Sequence, residues 1–164
     1  KMIIAKLLEG QTCALITDAG MPAISDPGED LVRQCQENGL VVSALPGPCA
    51  AVAALAMSGL PTGRFCFEGF LSTAKNSRRE RLKSLAEEKR TMIFYEAPHK
   101  LKETLEALRD QFGNRKITLV REISKIYEQA LPLTLDEAAA YYEKVAPKGE
   151  FVLIVEGNCQ KQKD

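Results

Sequence analysis

The residues with the most chemistry to offer lie where short apolar runs give way to turns. Two such stretches, "TDAGMPAISDPGED" (17–30) and "LPGPCAAVAAL" (45–55), each follow an apolar run and each open a helical segment. In the first, Gly20 and Gly28 can take backbone angles closed to other residues, while Pro22 and Pro27 stiffen the loop. A stiff loop loses little entropy on closing around a small molecule. Asp18 and Asp26 offer carboxylates to a ribose hydroxyl or an ammonium group, or else cap the turn and the helix after it. The second stretch repeats the design with a Pro-Gly-Pro turn and small side chains at its mouth. Neither is a G-x-G-x-x-G dinucleotide turn or a G-x-x-x-x-G-K-[ST] phosphate loop, so a grip through a pyrophosphate is not indicated.

Acid–base candidates come from two further strand ends. The sole histidine, His99, stands in "YEAPHK", where an imidazole is suited to proton transfer or to capping a helix start. Arg121 and Glu122 in "VREISK", with Lys125 about a turn further on, form with Glu96 either a charged cluster that orients a ligand or a structural ion pair. Residues 75–90, "KNSRRERLKSLAEEKR", hold seven positive and three negative side chains. Lys75, Arg78, Arg79 and Arg81 there fit a phosphate-contacting surface, or a solvated helix face.

The elements that must position these residues follow from pattern. "CALIT" (13–17) and "LVVSAL" (40–45) have the length and composition of buried strands, with a helix over 29–38 stopped by Gly39 and an Ala-rich helix after the Pro-Gly-Pro turn. That alternation is the signature of a parallel sheet. Residues 70–77 lose periodicity, which places a domain boundary there. The division is therefore a partial α/β domain at 1–70, a second α/β domain at 71–158, and a polar tail at 159–164. The second half reads as helix (77–88), strand (91–96), helix (98–111), strand (116–122), a strand or turn near 127–133, a helix opened by Thr134 and Glu137, and a strand (150–157).

Composition bounds the rest. The 164 residues are 45% hydrophobic and 27% charged, and 22 basic side chains balance 22 acidic ones, so no global field announces a nucleic-acid partner. The five cysteines are odd in number and lack a C-x-x-C pair, which argues against a disulfide framework or zinc knuckle and fits a cytoplasmic setting. No resident metal is expected. No apolar run is long enough to span a bilayer. The chain does not begin with Met, and "KMIIAKLLE" (1–9) reads as a helix already under way, so the sequence is expected to lack its natural N-terminus.

"LITDAGMPAISDPG", "LPGPCAAVAAL", "RFCFEGFL", "MIFYEAPHKL", "LVREISKIYEQ" and "KGEFVLIVEG", in this order and at these separations, closely resemble the ribosomal RNA small subunit methyltransferase I branch of the tetrapyrrole (corrin/porphyrin) methylase family. The likeness runs from about residue 12 to residue 157. It implies a two-domain fold with a parallel sheet in the first domain and a mixed sheet in the second, and S-adenosylmethionine bound between the domains of a homodimer. It also implies methyl transfer to the 2′-hydroxyl of a cytidine in 16S, small-subunit ribosomal RNA. By resemblance Asp18 looks like the Asp of the cofactor loop, with Ala19 and Gly20 where other branches carry Pro, and Pro22 beyond them. Cys49 and Ala50 match small residues lining the same pocket, Tyr95 and Glu96 flank the methionine portion, and Pro147, Gly149 and Glu150 match the segment near the adenine. The family's first strand and its Pro-rich loop have no counterpart in this sequence. A ribose hydroxyl is a very weak acid, so a base such as His99, or charge that stabilises a developing alkoxide, is expected. The alternatives are a corrin or porphyrin precursor as acceptor, or a cofactor-binding module without turnover.

Overall fold

The computed structural model describes residues 2–159, and the chain falls into two compact units, Lys1–Cys49 and Ala50–Asp164. In the first, α1 (Met2–Leu8) and α2 (Glu29–Glu37) contact one another. Cys35 of α2 is buried, and Arg33 on its solvent side is paired with both Asp30 and Glu37. The helix stops as expected at Gly39: the N–H groups of Gly39 and Leu40 donate to the carbonyls of Gln36 and Cys35 at 3.1 and 2.9 Å.

The strands expected at 13–17 and 40–45 are not formed. Among the described residues neither run pairs with another, and Ile16 and Val41 are 84% and 96% exposed. An interior strand persists only where neighbours satisfy its backbone groups and cover its faces. Among the described residues no strand stands beside either run to pair with it, so the parallel sheet expected in the first half is not formed in this unit.

The second unit carries the sheet. Its elements are α3 (Ala50–Met57), β1 (Phe65–Phe70), α4 (Lys75–Ser84), β2 (Thr91–Glu96), a 3-10 turn at Pro98–Lys100, α5 (Leu101–Phe112), β3 (Lys116–Arg121), β4 (Gln129–Thr134), α6 (Leu135–Lys144) and β5 (Phe151–Val155). The spatial order is β1-β2-β5-β3-β4, with β1 parallel to β2 and every other pairing antiparallel. The sheet is therefore mixed, as the resemblance implies for the second domain. β1 is a strand that the periodicity did not reveal. Because β1 pairs with β2, and α3 packs on β2 and β5, both belong with this sheet, and the observed division falls at 49/50 rather than 70/71.

β2 and β5 are covered on both faces. Met92, Phe94, Leu153 and Val155 point into a core shared with Leu82, Leu101, Leu105, Leu108 and Leu135, to which α4, α5 and α6 contribute. Residues of opposite parity, such as Ile93 and Ile154, are buried outside that core. The small residues Ala51 and Ala54 let α3 lie close on the sheet, and Thr118 of β3 donates to the Ser58 carbonyl just past α3 at 2.7 Å. α6 opens on the expected capping box: Thr134 N–H donates to Glu137 Oε2 at 2.8 Å, and Glu137 N–H returns to Thr134 Oγ1 at 3.3 Å.

Candidate functional site

In the first unit the two turn-rich loops come together. A Cβ on Gly47 would lie 3.1 Å from Met21 Sδ, and one on Gly20 would lie 3.4 Å from the Pro48 carbonyl, so the loops touch through the positions without side chains. Thr17 donates to Asp26 Oδ2 at 2.9 Å, which fixes the foot of the 18–28 loop and gives Asp26 its structural task. Asp18 is exposed and, among the described residues, its carboxylate makes no hydrogen bond or ion pair. Ala19 and Gly20 are likewise exposed, Pro22 and Cys49 half-buried.

In the second unit the sheet topology gathers the other motifs. β2 and β3 both run opposite to β5, so their carboxyl ends meet the start of β5, and Glu96 and Arg121 both stand opposite Phe151. Alternation along β2 then separates Tyr95 from Glu96. Tyr95 faces α3: its hydroxyl accepts the Ala51 N–H at 3.1 Å, beside Ala50 at the first turn of that helix. Its ring meets Phe67 and Phe70 edge-on at 5.0 and 5.6 Å, an arrangement that fixes the ring's orientation. Glu96 faces α5 and is buried, its two oxygens accepting the Ala97 N–H at 2.8 Å and the Thr104 hydroxyl at 2.6 Å.

Glu122, Lys125 and Glu150 form one knot. Glu122 N–H donates to the Glu150 carbonyl at 3.0 Å, Glu150 N–H donates to Glu122 Oε1 at 2.9 Å, and Lys125 Nζ bridges Glu122 Oε1 and Glu150 Oε2 at 3.0 and 2.8 Å. The Glu150 N–H, then Lys125, hold the Glu122 carboxyl below its ordinary range, and the carboxylates of Glu150 and Glu122 raise Lys125. Gly149 makes the knot possible: at φ 80° its missing Cβ would lie 2.4 Å from Glu122 Cγ. Glu122 and Ser124 are themselves held at φ 49° and 60°, strain of the kind that clusters at functional loops. Pro147 is half-buried beside this segment.

The four charges expected to act as one cluster are thus divided. Glu96 is engaged with Thr104, Glu122 and Lys125 with Glu150, and Arg121 keeps a buried Nε with no hydrogen-bond partner among the described residues, close enough to Tyr142 for its charge to be felt there. His99 is exposed in the 3-10 turn three residues beyond Glu96 and makes no hydrogen bond or ion pair among the described residues. In the basic stretch, Arg78 is buried and paired with Glu103 of α5, and Arg81 grips Glu68 of β1 through Nε and Nη2 at 2.9 and 2.6 Å. Lys75 and Arg79 are exposed. The Thr104 and Ala51 partners carry no sequence motif; only the fold reveals them. Gly149 is singled out in the sequence only through the family resemblance of its segment.

Comparison with known proteins places this arrangement. The chain is 50% identical over 161 residues to a protein of Halalkalibacterium halodurans named ribosomal RNA small subunit methyltransferase I, covering 98% of this chain and 56% of that protein. A Thermotoga maritima protein of the same name is 41% identical over 157 residues, covering 96% and 70%. The chain spans little more than half the length of most of the curated relatives it matches. Among solved structures, the methyltransferase CobJ superimposes with a TM-score of 0.68 at 22% identity, covering 96% of this chain and 69% of that one. Uroporphyrin-III C-methyltransferase from Thermus thermophilus, complexed with S-adenyl homocysteine, gives 0.58 at 20% identity, covering 94% and 70%. These likenesses show the fold. The model of the tetrapyrrole (corrin/porphyrin) methylases matches residues 1–139, and the chain belongs to that family.

Proposed function

We propose that the protein is an S-adenosylmethionine-dependent methyltransferase whose acceptor is the 2′-hydroxyl of a cytidine in small-subunit ribosomal RNA. The observation that carries the reading is the 50% identity, over nearly the whole chain, to a protein named for methylation of that RNA. A cytoplasmic setting and a homodimer belong to the same reading.

The chemistry of the exposed groups suits the cofactor. S-adenosylmethionine offers ribose hydroxyls and an ammonium group, and Asp18 presents an exposed carboxylate, without a partner among the described residues, on a loop stiffened by Pro22. Ala19, Gly20, Cys49 and Ala50 leave room for close approach, and Tyr95 sets a hydroxyl and an oriented ring beside the first turn of α3. Pro147, Gly149 and Glu150 supply a backbone edge held in place by Glu122 and Lys125. Bound S-adenosylmethionine supplies an electrophilic methyl carbon. The protein's own part is to hold the ribose oxygen in line and to receive its proton. His99 is the group for that proton, since its exposed imidazole has no hydrogen-bond partner among the described residues while the carboxylates of Glu96 and Glu122 already accept hydrogen bonds. Arg121 and Lys125 contribute positive charge at the same end of the sheet, where an alkoxide develops.

Titration calorimetry with S-adenosylmethionine tests the donor: absence of binding removes every methyltransferase reading, including one with a corrin or porphyrin acceptor. Mapping of ribose methylation in ribosomal RNA from a strain lacking the gene tests the acceptor. Loss of one 2′-O-methylcytidine is expected, and an unchanged pattern overturns the RNA assignment. His99→Ala is expected to lower kcat at least 100-fold with little change in cofactor affinity, consistent with loss of a general base. Retained turnover would remove His99 from the mechanism.

A further inference from the structure

The basic stretch is not one surface. Arg78 points inward and is paired with Glu103, and Arg81 is paired with Glu68. Their charges are spent within the protein, fastening α4 to α5 and to β1. Lys75 and Arg79 are different: both are exposed, and among the described residues neither makes a hydrogen bond or an ion pair, although Lys75 is near enough to Glu103 to act on its carboxyl through space. They stand four residues apart, one turn of α4, so their side chains lie on the same face.

That face borders a groove between α4 and α5 of about 430 Å³, with Leu82 and Ala107 among its lining residues, Lys75, Asn76, Arg78 and Arg79 contributed by α4, and Asp110 and Gln111 by α5; Arg78 reaches it only as a buried side chain already paired with Glu103. Two exposed cations a turn apart suit successive phosphates of one polymer, which Lys and Arg neutralise with release of counterions. Asn76 and Gln111 add neutral hydrogen-bonding groups of the kind that position a phosphate backbone. Asp110 repels phosphate at its own position, which confines a strand to the side where Lys75 and Arg79 stand. The side chains that line the groove include no aromatic ring, so it grips backbone and does not stack bases.

We infer that the α4–α5 groove holds the sugar-phosphate backbone of the substrate RNA through Lys75 and Arg79, with Arg78 and Arg81, whose charges are paired with Glu103 and Glu68, acting as positioning residues that set the helix. The inference rests on the RNA reading given above and assigns it a surface. Each phosphate contact removed should flatten the dependence of log affinity on log salt by about 0.7 for a single strand and 0.9 for a duplex.

The test is binding of the purified protein to a small-subunit ribosomal RNA fragment from 50 to 300 mM salt, comparing wild type, the single variants Lys75→Gln and Arg79→Gln, their double variant, and Lys144→Gln at the end of α6 as a control for the loss of one positive charge on another helix. The expected result is a slope flatter by roughly 1.4 to 1.8 for the double variant, with at least tenfold weaker binding at low salt, and a control unchanged within twofold. The replaced side chains are exposed and make no hydrogen bond or ion pair among the described residues, so melting temperatures should match, which excludes folding as the cause of the loss. Wild-type protein that binds RNA, with a double variant of unchanged slope and affinity, overturns the groove and leaves the RNA reading standing. Wild-type protein that binds S-adenosylmethionine and no RNA overturns both.

Discussion

Replacing Thr104 by Val removes one hydroxyl and keeps the side chain's shape, and the structure gives that hydroxyl a specific task. It donates to Glu96 Oε2 at 2.6 Å, inside the unit, where Thr104 and Glu96 are 1% and 5% exposed. In Thr104→Val the carboxylate keeps the Ala97 N–H at 2.8 Å, and its second oxygen, buried, faces a methyl group in place of the hydroxyl. A hydrogen bond to a charged group contributes about 1.5–3 kcal/mol net, and leaving the acceptor buried falls in the same range. The expected loss is therefore about 2 kcal/mol, roughly a 30-fold fall in the folding equilibrium. In urea, with a slope of about 2 kcal/mol per molar, the midpoint followed by tyrosine fluorescence should drop by about 1 M at unchanged slope. Thr104→Ser, which keeps the hydroxyl, should restore most of the loss. A Thr104→Val midpoint within 0.2 M of wild type, or a Thr104→Ser variant as damaged as Thr104→Val, would refute the view that Glu96 is fixed by this bond. Lost turnover at full stability would instead mark Glu96 as a group that moves protons.

Other outcomes follow from the same coordinates. Gly149→Ala forces a side chain into φ 80° and drives its Cβ to 2.4 Å from Glu122 Cγ; left-handed strain of about 1–2 kcal/mol and overpacking of about 1–3 should together lower stability by at least 2 kcal/mol, and a thermal melt unchanged within 2 °C would contradict the fit. The Glu88 carboxyl is held down to about 2, chiefly by Arg90, so its ion pair is complete above the unfolded value of 4.5 and is lost as pH falls toward 2. An NMR titration should find its midpoint near 2, and Arg90→Ala should return it toward 4.5. Burial, reinforced by Glu68 and Glu88, pushes the Cys66 thiol to about 11, so iodoacetamide at pH 8 should label exposed Cys13 well before Cys66, and equal labelling rates would show that Cys66 is open to solvent.

How much of this was legible in the chain varies by element. "TMIFYE" and "KITLVRE" announce β2 and β3 within a residue, because continuous apolar runs flanked by turns have few other fates, and Thr134 with Glu137 announces α6 through a local motif. "FCFEGF" hid β1: one face of the strand stays exposed, a charge and a glycine interrupt the run, and the register shifts between Phe67 and Gly69. "CALIT" and "LVVSAL" read as strands and are not, since pairing depends on a neighbour that a local pattern cannot supply. At the candidate site, the strand ends were legible as places and the partners were not. Whether Arg78 faces solvent or Glu103 depends on the docking of α4 against α5, which no spacing within 75–90 records.

The strand order sets a timetable for assembly. Among the described residues β1 joins only β2, and β4 joins only β3; β5, which follows the other four in the sequence, is the piece that links these two pairs. Until residues 151–155 have left the ribosome, β2 and β3 each keep an open inner edge, and the nascent chain carries two half-sheets with sticky borders. Their closure must wait for Phe151–Val155 to slide between them, antiparallel to both. β5 is thus a keystone of this sheet, and a stop before residue 151 would leave two separate pairs, whatever the quality of the sequence before it.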